Sequence, residues 1–501
     1  MTRALTMTMI CAWLALAADG AEFSALWGRQ GEAWDPAGRL PDVSFAGYAC
    51  GERPIPKVAA VADVRDFGAK GDGTTDDSAA FLAAIAKVKQ GAISVPPGRY
   101  RITRILEITR SGVVLRGAGP DRSVLVCPLP LNDIKPNMGE NSGGRKTSEY
   151  SWGGGIVWFK GSRADKKIGP VAAAAKRGDH KLTVTDAKAD LKAGTWIAIT
   201  ARDDASKSLL DHLYSGDPGN LSKIKPSKYS VDFVTRISAV GGRELKLERP
   251  LRTDLRPEWQ PVVHTFQPTL MGSGIEDLAF EFPARKYGGH FTELGFNAVA
   301  FSEVSHCWVR NLLITNADSG IFLNGHFCSI DGLRFQTRGC GEADGVFGHH
   351  GVSLTGDDNL LTHFDIRQRF IHDITVGGGA GNVASAGSGT DLSFDHHKRA
   401  PYDNVFTDID LGFGSRMWKS GGGDDLGRHC GAYGTFWNIR AVRPQVHPGA
   451  FGPPAINLVG VKTSGKSEMV LKGRWFEAIP PARLEPTNLH EAQRNNRLSA
   501  K

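Results

Sequence analysis

Between Gly274 and Ala441, short runs recur in which a polar residue or a glycine precedes alternating apolar positions. They are Asp277-Leu-Ala-Phe, Asn311-Leu-Leu-Ile, Gly332-Leu-Arg-Phe, Asp373-Ile-Thr-Val, Asp408-Ile-Asp-Leu and Asn438-Ile-Arg-Ala. Alternation with period two marks a half-buried strand. Recurrence every ~20–40 residues is the spacing of a solenoid whose coils bury their apolar faces on one another. Cys307 and Cys328 each stand four residues before such a run, so they are expected to stack as buried thiols rather than to bond. Alternation also sorts the polar residues. With Leu392 and Phe394 inward, Asp391, Ser393 and Asp395 face out; with Phe364 and Ile366 inward, His363, Asp365 and Arg367 do. Ile409 and Leu411 likewise leave Asp408 and Asp410 outward. Superposed coils would join these rows into one polar strip, a groove for a linear polymer.

The pattern begins earlier. Asp63-Val-Arg-Asp-Phe-Gly-Ala-Lys-Gly-Asp-Gly-Thr-Thr-Asp-Asp77 leads into Ser78 to Val88, where Phe81, Leu82 and Ile85 share one face of a predicted helix with Asp76 or Asp77 as its N-cap. Predicted strands follow at Ala92–Val95, Tyr100–Ile102 and Val113–Leu115, separated by Pro96-Pro97-Gly98 and Gly117-Ala118-Gly119. From Asp63 to Gly119, D-F-G-A-x-G-D-G-x-x-D-D, a helix, I-x-V-P-P-G-x-Y and V-x-L-x-G-x-G together resemble the opening of pectate-lyase-superfamily proteins. The resemblance implies an all-β fold, a right-handed parallel β-helix (solenoid) whose N-terminal helix caps the exposed end of the stack. It gives Asp72, Asp76 and Asp77 a structural role. It implies a polysaccharide partner but no particular reaction, since lyases, glycoside hydrolases and phage tail proteins share this opening.

Around that frame, residues 22–57 form a lead-in punctuated by Pro and Gly, 58–132 the start of the β-helix, and 133–265 an inserted β-rich module. The insert carries strand-like runs within Lys181 to Thr200 and a hairpin around Gly241-Gly242, and its Tyr150 and Trp152 are candidates to stack on sugar rings. Residues 266–478 hold the main β-helix, and 479–501 a tail packed outside it. Residues 1–21 read as a signal peptide. Arg3 precedes an apolar run from Met9 to Ala18, and Ala18, Gly20 and Ala21 suit cleavage, which predicts a secreted or periplasmic protein. The apolar run is too short for a membrane span, and no later stretch reaches that length. The net charge of +7 suits an acidic glycan, while the absence of a Lys/Arg block argues against nucleic acid. A monomer is expected.

Reactive side chains concentrate between Arg338 and Arg443, a segment that also holds seven of the fifteen histidines. It contains Glu342 and Asp344, Gly348-His-His-Gly351, Gly356-Asp-Asp-Asn359, Arg367-Gln-Arg369, Asp391 to Arg399, Arg416 to Lys419 and Asp424-Asp425. A uronide lyase must neutralise the substrate carboxylate, remove the C5 proton and protonate the leaving oxygen. For those steps the catalytic candidates are Arg369, Asp395, His396, His397 and Lys398. Candidates to bind substrate are His349, His350, Asp357, Asp358, Arg367, Asp391, Arg399, Arg416, Trp418 and Lys419, with Trp418 as a stacking platform. The alternative is a glycoside hydrolase using Asp357/Asp358, Asp391/Asp395 or Asp424/Asp425; a second is a non-catalytic, tailspike-like glycan adhesin. Gly356 to Asn359 also fits a turn. The polygalacturonase series N-T-D, D-D, G-H-G, R-I-K is not reproduced, because Gly356-Asp-Asp follows Gly348-His-His-Gly351 and R-I-K is absent. Adjacent carboxylates would suit Ca²⁺, whereas no His-x-x-x-His spacing points to zinc.

Overall fold

The computed structural model describes residues 20–141, 143–186, 191–340, 345–446, 448–462 and 473–500. Most of the expected signal peptide, together with Glu342 and Asp344, lies outside them. Among the described residues, the chain alternates between two long parallel sheets. One has sixteen strands; the other has seven, in the order β1 (Leu106–Ile108), β2 (Val157–Lys160), β3 (Asn297–Ser305), β4 (Ser319–His326), β5 (Gly348–Asp357), β6 (Phe370–Val376) and β7 (Phe394–His396). This is a right-handed parallel β-helix, with crossovers of the hand that parallel strands adopt. Along the seven-stranded sheet, alternate residues of the strands enter a common core. One inward row of the seven-stranded sheet runs Val157, Val299, Ile321, Val352, Ile374, Phe394, and the next Phe159, Phe301, Leu323, Leu354, Val376, His396. Phe159 and Phe301 stack in register at 4.6 Å between ring centroids.

The repeated polar-or-glycine position is the corner of each coil. Asp277, Asn311, Gly332, His363, Ala386, Asp408, Asn438 and Gly460 all adopt left-handed backbone, with φ between 48° and 74°. The register between neighbouring coils of the sixteen-stranded sheet skips most of these positions together. Asn, Asp and Gly tolerate that conformation best, which is why the repeat begins on them. Asp373, read as a member of the series, lies instead on β6 of the other sheet, where it accepts bonds from Phe370 N–H and Ser393. A second column follows Gly356-Asp-Asp. There Asn359, Asn382 and Asn404 pass side-chain bonds from coil to coil at 3.0 and 3.1 Å. Cys307 and Cys328 stack as buried free thiols, and the Cys307 N–H reaches Cys328 Sγ at 3.4 Å.

At the N-terminal end a helix, Ser78–Lys87, buries Phe81, Ala84 and Ile85 on the first coil. Asp77, its N-cap, makes no side-chain cap bond. It accepts instead from Lys70 and Gly71 N–H at 2.6 and 3.1 Å, while Asp76 accepts from Ser78 N–H and Asp72 from Thr74 and Thr75 N–H. All three aspartates therefore hold backbone. The insert contributes a six-stranded antiparallel sheet between Lys167 and Thr265, with its own core around Leu182, Ile199, Phe233 and Leu245. Val157–Lys160, within the span read as insert, is strand β2, because Val157 and Phe159 pack in the coil's inward rows. No helix among the described residues is long and apolar enough to cross a membrane.

Candidate functional site

The outward face of the seven-stranded sheet carries a row of Trp158, Ala300, Phe322, Ser353, Thr375 and Asp395. A cleft of about 810 Å³ lies over it, walled by Trp152, Phe291, His290, Arg399 and the backbone of Gly421 to Gly423. His350 and His372 are register partners at the starts of β5 and β6. His349 precedes His350, His397 follows β7, and His290 comes from the loop before β3. Their five rings form one cluster, with centroids 4.1 Å apart for His349–His350, 5.0 Å for His350–His372 and 5.5 Å for His372–His397.

Asp395, fully buried, organises the open end of this cluster. Its Oδ2 lies 2.9 Å from His397 Nδ1 and 3.4 Å from His372 Nδ1, and it accepts from Thr375 Oγ1 at 3.0 Å. Its Oδ1 accepts from Gly421 N–H at 2.7 Å. Burial disfavours the carboxylate, but the flanking imidazoles and these donors overcome it and hold the pKa below the ordinary range. His397, about one-third exposed, moves the other way: burial opposes its cationic form, yet the bond and charge of Asp395 raise its pKa. His349 and His350 are pushed well down by burial and by their imidazole neighbours, and burial takes His372 down to about 4 despite Asp395. His350 Nδ1 stands 3.1 Å from Thr375 Oγ1. The site therefore sets an anchored His–Asp pair among neutral imidazoles. Gly421 passes close over it, since a Cβ there would come within 2.6 Å of His397 Cε1.

Of the residues expected from sequence, the fold gathers His349, His350, Asp395, His397 and Arg399 at this cleft. Lys419 is exposed nearby, its charge acting on His290. The others are placed elsewhere. His396, expected to be catalytic, follows Phe394 in strand parity and points into the core, against Phe406, Phe436 and Phe451. Asp358, expected to bind substrate, is locked in the interior by Arg249 and Arg252 at 2.7 and 2.5 Å. Arg416 is buried, its guanidinium spent on the carbonyls of Phe370, Ile371 and Asp391. Asp391 fixes a turn through Ser415 N–H and Oγ, and Arg369 lies 3.7 Å from it. Arg367 is exposed on the sixteen-stranded sheet beside Asp365, because parity gives the face of a strand and not the sheet it joins. Lys398 turns toward Asp424 at 3.7 Å. Together with Trp418, which packs on Phe436 and Phe451, it lines a separate hollow.

Asp357 stands in a further hollow with Arg163, Asp232, His326 and Tyr402. Burial, then the charge of Asp358, pushes it up to about 7, while Arg163 keeps Asp232 below its ordinary range against burial. Tyr150 is buried, its hydroxyl bonded to Lys135 O; Trp152 reaches the cleft and packs with Phe291 at 5.8 Å. Sequence reading missed His290, His372 and Glu293. Only the register that makes His372 the partner of His350 would have singled it out.

Residues 61–128 match the family described as rhamnogalacturonase A/epimerase, pectate lyase-like, over the segment that carried the sequence resemblance. Among curated proteins, alginate lyase 7 of Azotobacter vinelandii is 35% identical over 97 residues, covering 18% of this chain and 11% of that protein. Mannuronan C5-epimerase AlgE4 of the same organism is 32% identical over 97 residues, 18% of each. The chain thus spans less than one fifth of either relative. A solved structure with similar architecture is the tailspike gp49 of Pseudomonas phage LKA1, at a TM-score of 0.44 and 12% identity, covering 79% of this chain and 66% of that one.

Proposed function

We propose that the protein is an exported polysaccharide-degrading enzyme, a lyase that cleaves an acidic, uronate-containing glycan by β-elimination in the histidine cleft. The carrying observation is the buried Asp395 holding His397 Nδ1 at 2.9 Å, with the ring edge open to a groove that is also lined by His350 and Arg399. The short stretch shared with an alginate lyase supports an acidic glycan. In this reading a neutral imidazole, His350, removes the C5 proton. The C–H electron pair becomes the C4–C5 double bond, the C4–O bond breaks, and His397 protonates the leaving oxygen. Arg399 and Lys419 meet the substrate carboxylate, and Trp152 stacks on a sugar ring. Export removes a leader near Ala21, which the intact mass of the secreted protein checks.

The test is a panel of acidic polysaccharides followed by ultraviolet absorbance of unsaturated uronides and by reducing ends. Both signals should rise on one glycan and fall about 10²–10⁴-fold in His397→Ala and His350→Ala. Reducing ends without absorbance would overturn elimination. They would favour the second reading, a glycoside hydrolase in the neighbouring hollow, where burial pushes Asp357 up to about 7 beside an Asp232 that Arg163 keeps ionised. Binding without either signal would make the protein an adhesin.

A further inference from the structure

We infer that His290, His349 and His372 form a site for one divalent transition-metal ion of the zinc class, with a coordination position left open to the cleft. One ring nitrogen from each of the three lies within 4.8 Å of the others, and His290 Nε2 stands 2.9 Å from His349 Nε2. Nitrogens held 2.0–2.1 Å from a tetrahedral zinc stand about 3.3 Å apart, so small ring movements would seat the ion. The trio comes from three separate segments, the loop before β3, the start of β5 and the start of β6. That is why no sequence spacing announced it.

The outer nitrogens support this assignment. A metal-bound imidazole characteristically turns its other N–H to a carboxylate, which fixes the ring and strengthens the ligand. Here His349 Nδ1 faces Glu293 Oε2 at 3.8 Å and His372 Nδ1 faces Asp395 Oδ2 at 3.4 Å. Glu293 is itself buried and held by Ser151 Oγ at 3.1 Å and by Tyr287 Oη. Neither Nδ1 has a hydrogen-bond partner among the described residues. Both are buried nitrogens beside carboxylates without a formed hydrogen bond, His349 for its distance and His372 for its angle, and a small ring rotation on seating an ion at the Nε2 side would complete both. The donor set selects the ion. Ca²⁺ requires six to eight oxygens, whereas imidazoles suit zinc, copper or nickel. Three protein ligands with one vacant position is the composition of catalytic rather than structural zinc sites. Resting on the proposed elimination, the vacant position is where the uronate carboxylate coordinates, adding to the charge neutralisation that Arg399 and Lys419 give and that Arg367, Arg369 and Arg416, which do not line the cleft, do not.

The test is titration of Zn²⁺ alone into the untagged, chelator-stripped full chain, read by calorimetry and by metal content after dialysis. One ion per chain is expected. His349→Ala and His290→Ala should weaken binding at least 100-fold, and Glu293→Gln about 10–100-fold. His290 sits on a loop, so its variant keeps the fold; unchanged thermal unfolding of the apo-protein checks this. Substoichiometric uptake, or equal affinity in wild type, His290→Ala and His349→Ala, would overturn the site and leave a simple imidazole–imidazole hydrogen bond. Lyase activity is read separately. Stoichiometric binding with full turnover in the stripped protein keeps the site but overturns its part in elimination. Binding without any unsaturated product overturns the lyase reading alone.

Discussion

His396 and His397 are neighbours with opposite fates, and the difference is strand parity. His396 shares the inward row with Leu354 and Val376, whereas His397 leaves the end of β7 and meets Asp395. His396→Ala should cost about 2–4 kcal/mol of stability through the cavity it leaves among Phe406, Phe436 and Phe451. Folded protein should keep the turnover proposed above. His397→Ala should do the reverse, and urea unfolding beside product assays separates the two. The alternation that placed Phe394 inward carries His396 with it, so its position was legible in sequence; the polar side chain obscured the parity. Asp395 was legible for the same reason. His290 and His372 were not, since nothing along the chain shows that a loop eighty positions upstream of His372 reaches over the coils of β5 and β6.

Among the elements, the solenoid was the most readable, because its repeat records a backbone demand. Asn311, Gly332 and Asn438 start their runs where the coil turns through left-handed φ. Gly332→Ala meets only ordinary contacts, the nearest being backbone of Asn311 at 3.4 Å, so its penalty is the conformation itself, about 1 kcal/mol. The denaturation midpoint should fall accordingly. His363, Ala386 and Gly460 occupy the same corner without an Asp or Asn to announce it. This is why the series read from sequence passes over His363 and Ala386 and takes Asp373, of the other sheet, between Gly332 and Asp408. The opening helix was readable too, although Asp77 serves the turn before it rather than capping its first N–H groups.

At the scale of the whole molecule, the insert is fastened to the coil by charge buried between them. Arg249 and Arg252 from the insert clasp Asp358, and Arg177 reaches Asp403 at 2.8 Å. The two guanidiniums hold Asp358 down at about 2, against an ordinary value of 3.8 and against the opposing effect of burial. A carboxylate depressed on folding stabilises fully above its unfolded value, and that contribution disappears as the pH drops through about 2. Unfolding midpoints should therefore decline between pH 4 and pH 2. Asp358→Ala should cost about 3–5 kcal/mol at neutral pH by stranding two buried cations, and should remove that part of the acid dependence. Sequence showed an insert but not this clasp, which had read instead as a substrate-binding pair. The left-handed corners have a wider consequence. Because each one resets the phase of the chain, a connection of any length re-enters the stack in step. The segments bearing His290 and Gly421 can lengthen, shorten or be exchanged without shifting a single rung, so the scaffold and its chemistry are free to evolve on separate clocks.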